Sequence, residues 1–407
     1  MAGRVLSAIA AGFGEKRLVK SGSRDVLIGL YAGSGGMAND KQENVVRRVT
    51  GNAVKQESGM TKRQPRHARR FFIGGAAWAL ALSVAAPALH AEEPALAKRR
   101  VAVESTLQHA AACQHMGDYY WEIGDADRVL LHGQQGRRID ATRPVRLASA
   151  SKWVFGTYVV ERQQGRLTPA MIDALTMRSG YDALNPFLCN RSDTVQSCFA
   201  RGRNGTLTPG HVGRFSYNGG HDQKLLIDLG FGKADAAVLT AELERELAHA
   251  PALTDASAPF GIRYLAPEPA GGMAASPADY GQFLRRLMRG EYRLGRMLGE
   301  HAVCTEPGNC PAAVSTPASQ PWHYALNYWI EDQPGGDGAF SSPGAFGFYP
   351  WITADKRHYG MLVRETLTPR AYVRSAACGA LIRKAFDEGR AQHGEADGDA
   401  AAAPETD

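Results

Sequence analysis

The 407-residue chain is 44% hydrophobic and 22% charged, which suits one large globular domain and excludes a low-complexity polymer. Its formal net charge of +6 sits at one end: residues 1–91 hold 14 Lys and Arg against 5 Asp and Glu, leaving 33 basic and 36 acidic residues beyond. The body is slightly acidic, which excludes the basic footprint of a nucleic-acid-binding surface, and no nucleic-acid partner is expected.

In chain order, residues 1–59 read as a disordered or over-annotated extension, because Met60 stands directly before a stretch with the order of an export signal. Residues 61–70 are cationic and free of acids, 71–89 are apolar and Ala-rich, and small residues at Ala86, Ala88 and Ala91 precede Glu92. Arg69-Arg70-Phe71-Phe72 resembles a twin-arginine signal. Residues 60–91 are therefore expected to direct a periplasmic or secreted protein and to leave no stable membrane span once cleaved. All six cysteines lie beyond this segment, as an oxidising compartment would allow. Short loops favour the pairs Cys189–Cys198 and Cys304–Cys310, which leaves Cys113 and Cys378, near the two ends of the mature chain, as a third bridge.

Further on, apolar periodicity predicts a helix over 97–112 and two strands within 118–134 around a Gly124-Asp125-Ala126-Asp127 turn. A helix beginning at Ser149 follows, through the apolar run 153–160. Residues 166–270 read as loop-rich, with helical patterns at 224–229 and 237–248. Ser276 caps an amphipathic helix over 279–288. Strands are expected over 324–331, 345–353 and 359–365, then a closing helix over 371–388 and a disordered tail from 391 to 407. Strands at both ends with helices between them predict an α/β (α+β) fold: one antiparallel sheet built from the two chain ends, flanked by helices, with a helical lobe. A single domain over 92–390 accommodates it.

Chemistry concentrates at Ser149-Ala150-Ser151-Lys152. On a helix, positions three apart lie on one face, so the lysine amine can reach the serine hydroxyl. A serine nucleophile needs such a base, and taking a lysine out of water disfavours its charged form. There is no C-x-x-C, H-E-x-x-H or G-x-S-x-G motif, so neither a metal site nor a Ser-His-Asp elbow is indicated. His211, His221, His301, His323 and His358 read as surface or core residues without chemistry.

Over residues 98–388 the chain resembles the penicillin-recognising serine hydrolases: class C β-lactamases, D-Ala-D-Ala carboxypeptidases and related esterases and amide hydrolases. Ala148-Ser149-Ala150-Ser151-Lys152 is similar to their first motif, Leu175-Thr176-Met177-Arg178-Ser179-Gly180 to a following loop, and Ala270-Gly271-Gly272 through Asp279 to the start of a late helix. Tyr217-Asn218-Gly219 stands where Tyr-x-Asn is usual, with Gly219 in the asparagine's place and Asn218 one position early. Ser342-Pro343-Gly344 replaces Lys-Thr-Gly or His-x-Gly, so its cation is absent. The resemblance implies Ser149 as nucleophile, Lys152 and Tyr217 as proton-transfer groups, and the N–H groups of Ser149 and Ala345 as the oxyanion hole. It also implies Asn218, Gly219, Ser342 and Gly344 as substrate-binding positions, with no metal or organic cofactor. Expected partners are a small ester, amide or peptide; oligomeric state is not encoded in any motif. The missing cation favours an ester or amide hydrolase over a β-lactamase or carboxypeptidase, and the altered second and third motifs also suit a ligand-binding or sensor module of the same fold. Loops 181–211 and 305–322, with Tyr181, Phe187, Phe199 and Trp322, are expected to shape the pocket.

Overall fold

The structure is a computed structural model that describes residues 86–254 and 260–394, with side chains from Glu93 onward. The extension at 1–59, residues 60–85 of the leader and the tail beyond 394 lie outside the described residues.

α1 (Ala86–His109) starts well before the expected 97 and leads into the hairpin β1 (Tyr119–Gly124) and β2 (Val129–Gln135). β3 (Val145–Arg146) delivers the chain to α2 (Ser151–Arg162), then α3 (Pro169–Leu175), α4 (Val195–Phe199), β4 (Phe215–Ser216), α5 (Gly220–Leu226) and α6 (Ala236–Leu247). β5 (Arg263–Tyr264) and β6 (Met273–Ala275) precede α7 (Pro277–Met288) and α8 (Arg293–Arg296). Seven short strands follow: β7 (Val303–Cys304), β8 (Ala313–Ser315), β9 (His323–Tyr324), β10 (Trp329–Glu331), β11 (Ala339–Ser341), β12 (Tyr349–Ile352) and β13 (Tyr359–Val363). α9 (Ala371–Glu388) closes the domain, and Gly389 ends it in the left-handed conformation at φ 60°.

Eight strands form one antiparallel sheet in the order β2-β1-β13-β12-β11-β10-β9-β7. First and last strands pair directly, from Tyr120 against Val363 to Gly124 against Tyr359, so the sheet is built from the two chain ends as expected. Every residue of β1 is buried, because both faces are covered. Trp121 and Ile123 pack with Val103, Ile382 and Phe386 under α1 and α9, whereas Tyr120 joins Val154, Phe283 and Met361 on the face covered by α2 and α7. A disulfide between Cys113 and Cys378 ties the α1 end to α9.

α2 is buried from Ser151 to Glu161, as a helix apolar on all sides must be. Burial of each large side chain along it contributes roughly 1.5–3 kcal/mol. Gly156 is required at its centre: a Cβ there would lie 2.6 Å from the Leu326 carbonyl oxygen. Serine capping of α7 is as predicted, with the Ser276 Oγ accepting from the Asp279 N–H at 3.1 Å.

Three strand expectations change. The 324–331 run is a hairpin, β9 to β10, because Asn327 takes φ 67° and reverses the chain. β11 was hidden in a Gly-rich stretch. Residues 345–348 turn the chain from β11 into β12, so Ala345 is at a turn and not within a strand. At the C-terminal end the tail's first residues, 391–394, are described, and the Gln392 N–H donates to Thr106 Oγ1 at 2.9 Å, contrary to disorder from 391. None of the described helices is long and apolar enough to cross a membrane.

Candidate active site

Ser149 lies in a 3₁₀ turn, 148–150, that runs directly into α2. Three elements clamp this turn: the Leu147 N–H donates to the Met273 carbonyl at 2.9 Å, Tyr280 Oη to the Ala150 carbonyl at 2.9 Å, and Ser342 Oγ to the Ser149 carbonyl at 3.1 Å. Ala148 is held at φ 45°, in the left-handed region, so backbone strain is placed beside the serine. Gly344 permits the clamp, since a Cβ there would meet the Leu147 carbonyl oxygen at 2.1 Å.

Lys152 is buried, and its Nζ donates to Ser149 Oγ at 3.3 Å and to the Ala270 carbonyl at 3.0 Å. The same ammonium sits 4.7 Å from the centre of the Tyr217 ring, a cation–π distance. Tyr217 follows β4, which pairs in parallel with β8, and its N–H donates to the Ser315 carbonyl at 3.2 Å. Its ring stacks on Trp329 with centroids 5.3 Å apart. Among the described residues the Tyr217 hydroxyl has no hydrogen-bond partner, so the lysine meets the ring face and leaves the phenol uncommitted.

Ser149, Tyr217 and Ala345 line one cavity of about 170 Å³, closed by Trp329, Tyr372 and the 317–322 segment. No charged side chain lines it. Of the two loops expected to shape the pocket, 305–322 does so through Pro317, Ala318 and Trp322, and 181–211 contributes no lining residue. Tyr181 packs on Phe199 instead, and Phe187 is 94% exposed.

Other expected positions are differently employed. The Asn218 carboxamide accepts from the Leu184 and Gly220 N–H groups and donates to the Leu184 carbonyl, so it is spent on holding a loop. Gly219 packs on Ala270, where a Cβ would approach to 2.9 Å, and an asparagine has no room. Ser342 gives its hydroxyl to the serine turn and is not free for substrate. Cys113–Cys378 and Cys189–Cys198 are bridged, but Cys304 and Cys310 are free thiols. The two thiols are neighbours: burial, then a hydrogen bond with Cys310, raise the Cys304 pKa.

Sequence reasoning passed over the carboxyls around Lys152. Asp222, fully buried on α5, accepts from Asn327 Nδ2 at 2.8 Å through one oxygen, while its Oδ2 has no partner. Burial pushes it up to about 7, opposed by Lys152 and the Asn327 hydrogen bond. Glu268 is likewise pushed up to about 7 by burial and the charge of Asp193, against the pull of Lys152. The available signal was an acid one turn before Leu225 and Leu226 on a short helix. Buried His221 donates from Nε2 to the Ser216 carbonyl at 2.8 Å, so its Nδ1 accepts from Ser179 Oγ at 2.7 Å. Desolvation lowers it to about 4, which keeps it neutral.

No protein-family model matches the chain, and no curated protein matches it. Solved structures do. The D-amino acid amidase of Ochrobactrum anthropi, in complex with L-phenylalanine amide, superposes with a TM-score of 0.51 at 11% identity, over 72% of this chain and 99% of that one. A penicillin-binding protein of Bacillus halodurans gives 0.46 at 15% identity, over 64% and 95%. A variant of simvastatin synthase from Aspergillus terreus gives 0.46 at 14%, over 77% and 99%. At these identities the likeness is one of fold.

Proposed function

We propose that this chain, whose fold is the β-lactamase/transpeptidase-like one, is a serine hydrolase that cleaves an ester or amide through an acyl-enzyme on Ser149. The observation that carries this reading is the Lys152 Nζ donating to Ser149 Oγ at 3.3 Å at the start of a buried helix, with Tyr217 against the same ammonium. Ser149 Oγ attacks the carbonyl carbon as its proton passes to Lys152 Nζ, which acts in this step as the neutral amine, and the proton then goes, directly or through the Tyr217 phenol, to the departing alcohol or amine. Backbone N–H groups of Ser149 and Ala345 hold the oxyanion, each such donor contributing roughly 3–4 kcal/mol. Water then attacks the acyl-enzyme, and the proton path runs in reverse. A carboxylate-bearing substrate is disfavoured, because the cavity has no charged lining and Ser342 is bonded to the serine turn. The two disulfides and the leader-like residues 60–91 support a periplasmic or secreted location.

The test is labelling by a fluorophosphonate, read by intact mass, alongside turnover of p-nitrophenyl acetate. Ser149→Ala is expected to abolish both. Tyr217→Phe keeps the ring against Trp329 and should lose about 10²–10⁴-fold in kcat if the phenol moves a proton. A Ser149→Ala protein that is labelled and turns over like the native one would overturn the assignment.

A further inference from the structure

Lys152 is the base of the proposed mechanism, and a buried carboxyl that no step uses lies near it. Lys152 and Gly156 are one turn apart on α2 and share a face. Gly156 has no side chain to cover that face, and Asn327 takes the space: a Cβ at Gly156 would stand 2.9 Å from the Asn327 Cβ. There the Asn327 carboxamide is fixed at both ends, accepting from Tyr324 Oη at 3.5 Å and donating to Asp222 Oδ1 at 2.8 Å. Tyr324 in turn meets the Tyr217 ring edge-on, with centroids 5.8 Å apart. Asp222, Asn327 and Tyr324 thus form one buried wall behind Lys152 and Tyr217, and none of the three lines the cavity at Ser149.

Holding Asn327 requires one acceptor, which an uncharged side chain would supply. Asp222 is instead a carboxyl with no exposed surface, and its Oδ2 has no partner. A buried carboxylate is costly unless a cation answers it. The groups around α5 leave one candidate. Lys224, on α5 itself, pairs with Asp228. On α3, Asp173 pairs with Arg178 at 2.7 Å, and α4 carries no titratable side chain beyond the bridged Cys198. Tyr264 and Tyr324 face Asp222 as neutral phenols, both held well above the usual phenol range by burial. The cation whose charge reaches Asp222 is Lys152. Around Lys152, His221 is neutral, and Glu268 is the other carboxyl within reach of its charge.

We propose that Asp222 is a positioning residue for acylation: its buried carboxylate, held against α2 by Asn327, sets the pH at which Lys152 becomes the amine that takes the Ser149 proton. This rests on the hydrolase reading and adds to it the group that tunes its base. No hydrogen bond joins the two side chains, so the influence is one of charge through space. A nearby negative charge favours the ammonium and makes the amine, once formed, a stronger base.

The experiment follows kcat/KM for p-nitrophenyl acetate from about pH 5 to about pH 9. In Asp222→Asn the acid limb is expected to move down by about one pH unit, with a lower plateau. Asn327→Gly keeps the left-handed backbone and removes the donor to Asp222, so it should move the limb the same way by less. Glu268→Gln should also move it less than Asp222→Asn. A plateau that falls while the limb stays in place is what lost packing alone would give, and it overturns the proposal; so does an equal or larger shift in Glu268→Gln. Titration of Lys152 is followed in parallel by NMR of lysine-labelled protein, assigned with Lys152→Met, which needs no turnover. A titration that moves in Asp222→Asn in a protein without turnover would sink the hydrolase reading and keep the coupling. Turnover with limb and titration both unmoved would do the reverse.

Discussion

Two buried cations on this molecule are treated in opposite ways. Arg383, on α9, donates to Glu331, Asp337 and Tyr349 Oη, and Tyr349 in turn donates to Glu331 at 2.6 Å. Lys152, on α2, has a serine hydroxyl, a carbonyl and an aromatic face as neighbours, and the buried Asp222 nearby keeps one oxygen without a partner. The first cluster pairs its cation with two carboxylates and a phenol and fastens α9 to the sheet. The second leaves valences open, which costs stability and is what proton transfer requires.

The sharpest way to break that contrast is the same substitution at both cations. Lys152→Met should cost about 10²–10⁴-fold in kcat/KM on p-nitrophenyl acetate and leave the melting temperature equal or higher, because an apolar chain of similar volume replaces a poorly paired buried charge. Arg383→Met should do the reverse: it strands Glu331 and lowers stability by about 3–5 kcal/mol in urea unfolding. Loss of stability in Lys152→Met as large as in Arg383→Met would erase the distinction.

Around α9 the next effect is the covalent tie. Cys113–Cys378 closes a sequence separation of 265 and Cys189–Cys198 one of 9. Replacing the first pair by serines should cost about 2–5 kcal/mol, and replacing the second less, as chain-entropy models of loop closure require. A larger loss from the short loop would reverse the ranking.

A smaller effect separates the open cluster by pH. Because burial raises Asp222 from 3.8 to about 7, the folded state binds a proton more tightly than the unfolded chain between those values. Its contribution therefore favours the fold at low pH and is lost as pH rises through this window. Asp222→Asn lacks that loss, so the difference in melting temperature between variant and native protein should grow from pH 4 to 7 and level off above. A constant difference would show that the carboxyl stays ionised throughout. Smallest in energy but decisive in count, the denatured, unreduced protein should show two reactive thiols, Cys304 and Cys310; none would restore the third bridge.

The Ser149–Lys152 contact and the capped α7 were legible in the sequence because each follows from a local spacing or period, and the pairing of the two chain ends because strands stand at both ends with helices between. A helix fixes which side chains share a face, so the Ser149–Lys152 contact needs no tertiary information. Short loops made Cys189–Cys198 legible for the same reason, whereas the still shorter loop from Cys304 to Cys310 leaves two neighbouring thiols unbridged.

Tertiary structure alone decided the rest. Asn218 and Ser342 read as substrate groups until the fold brought Leu184 and the Ser149 carbonyl against them. Trp329, Tyr372 and Trp322 gather at the serine from three separate segments, and Asp222 meets Asn327 across a hairpin turn that Asn327 itself creates. Motif spacing encodes what one element presents along its own length. Which polar groups end up paired and which stay open depends on elements distant in sequence, and in this molecule that difference separates the groups that hold the fold from those the proposed mechanism uses.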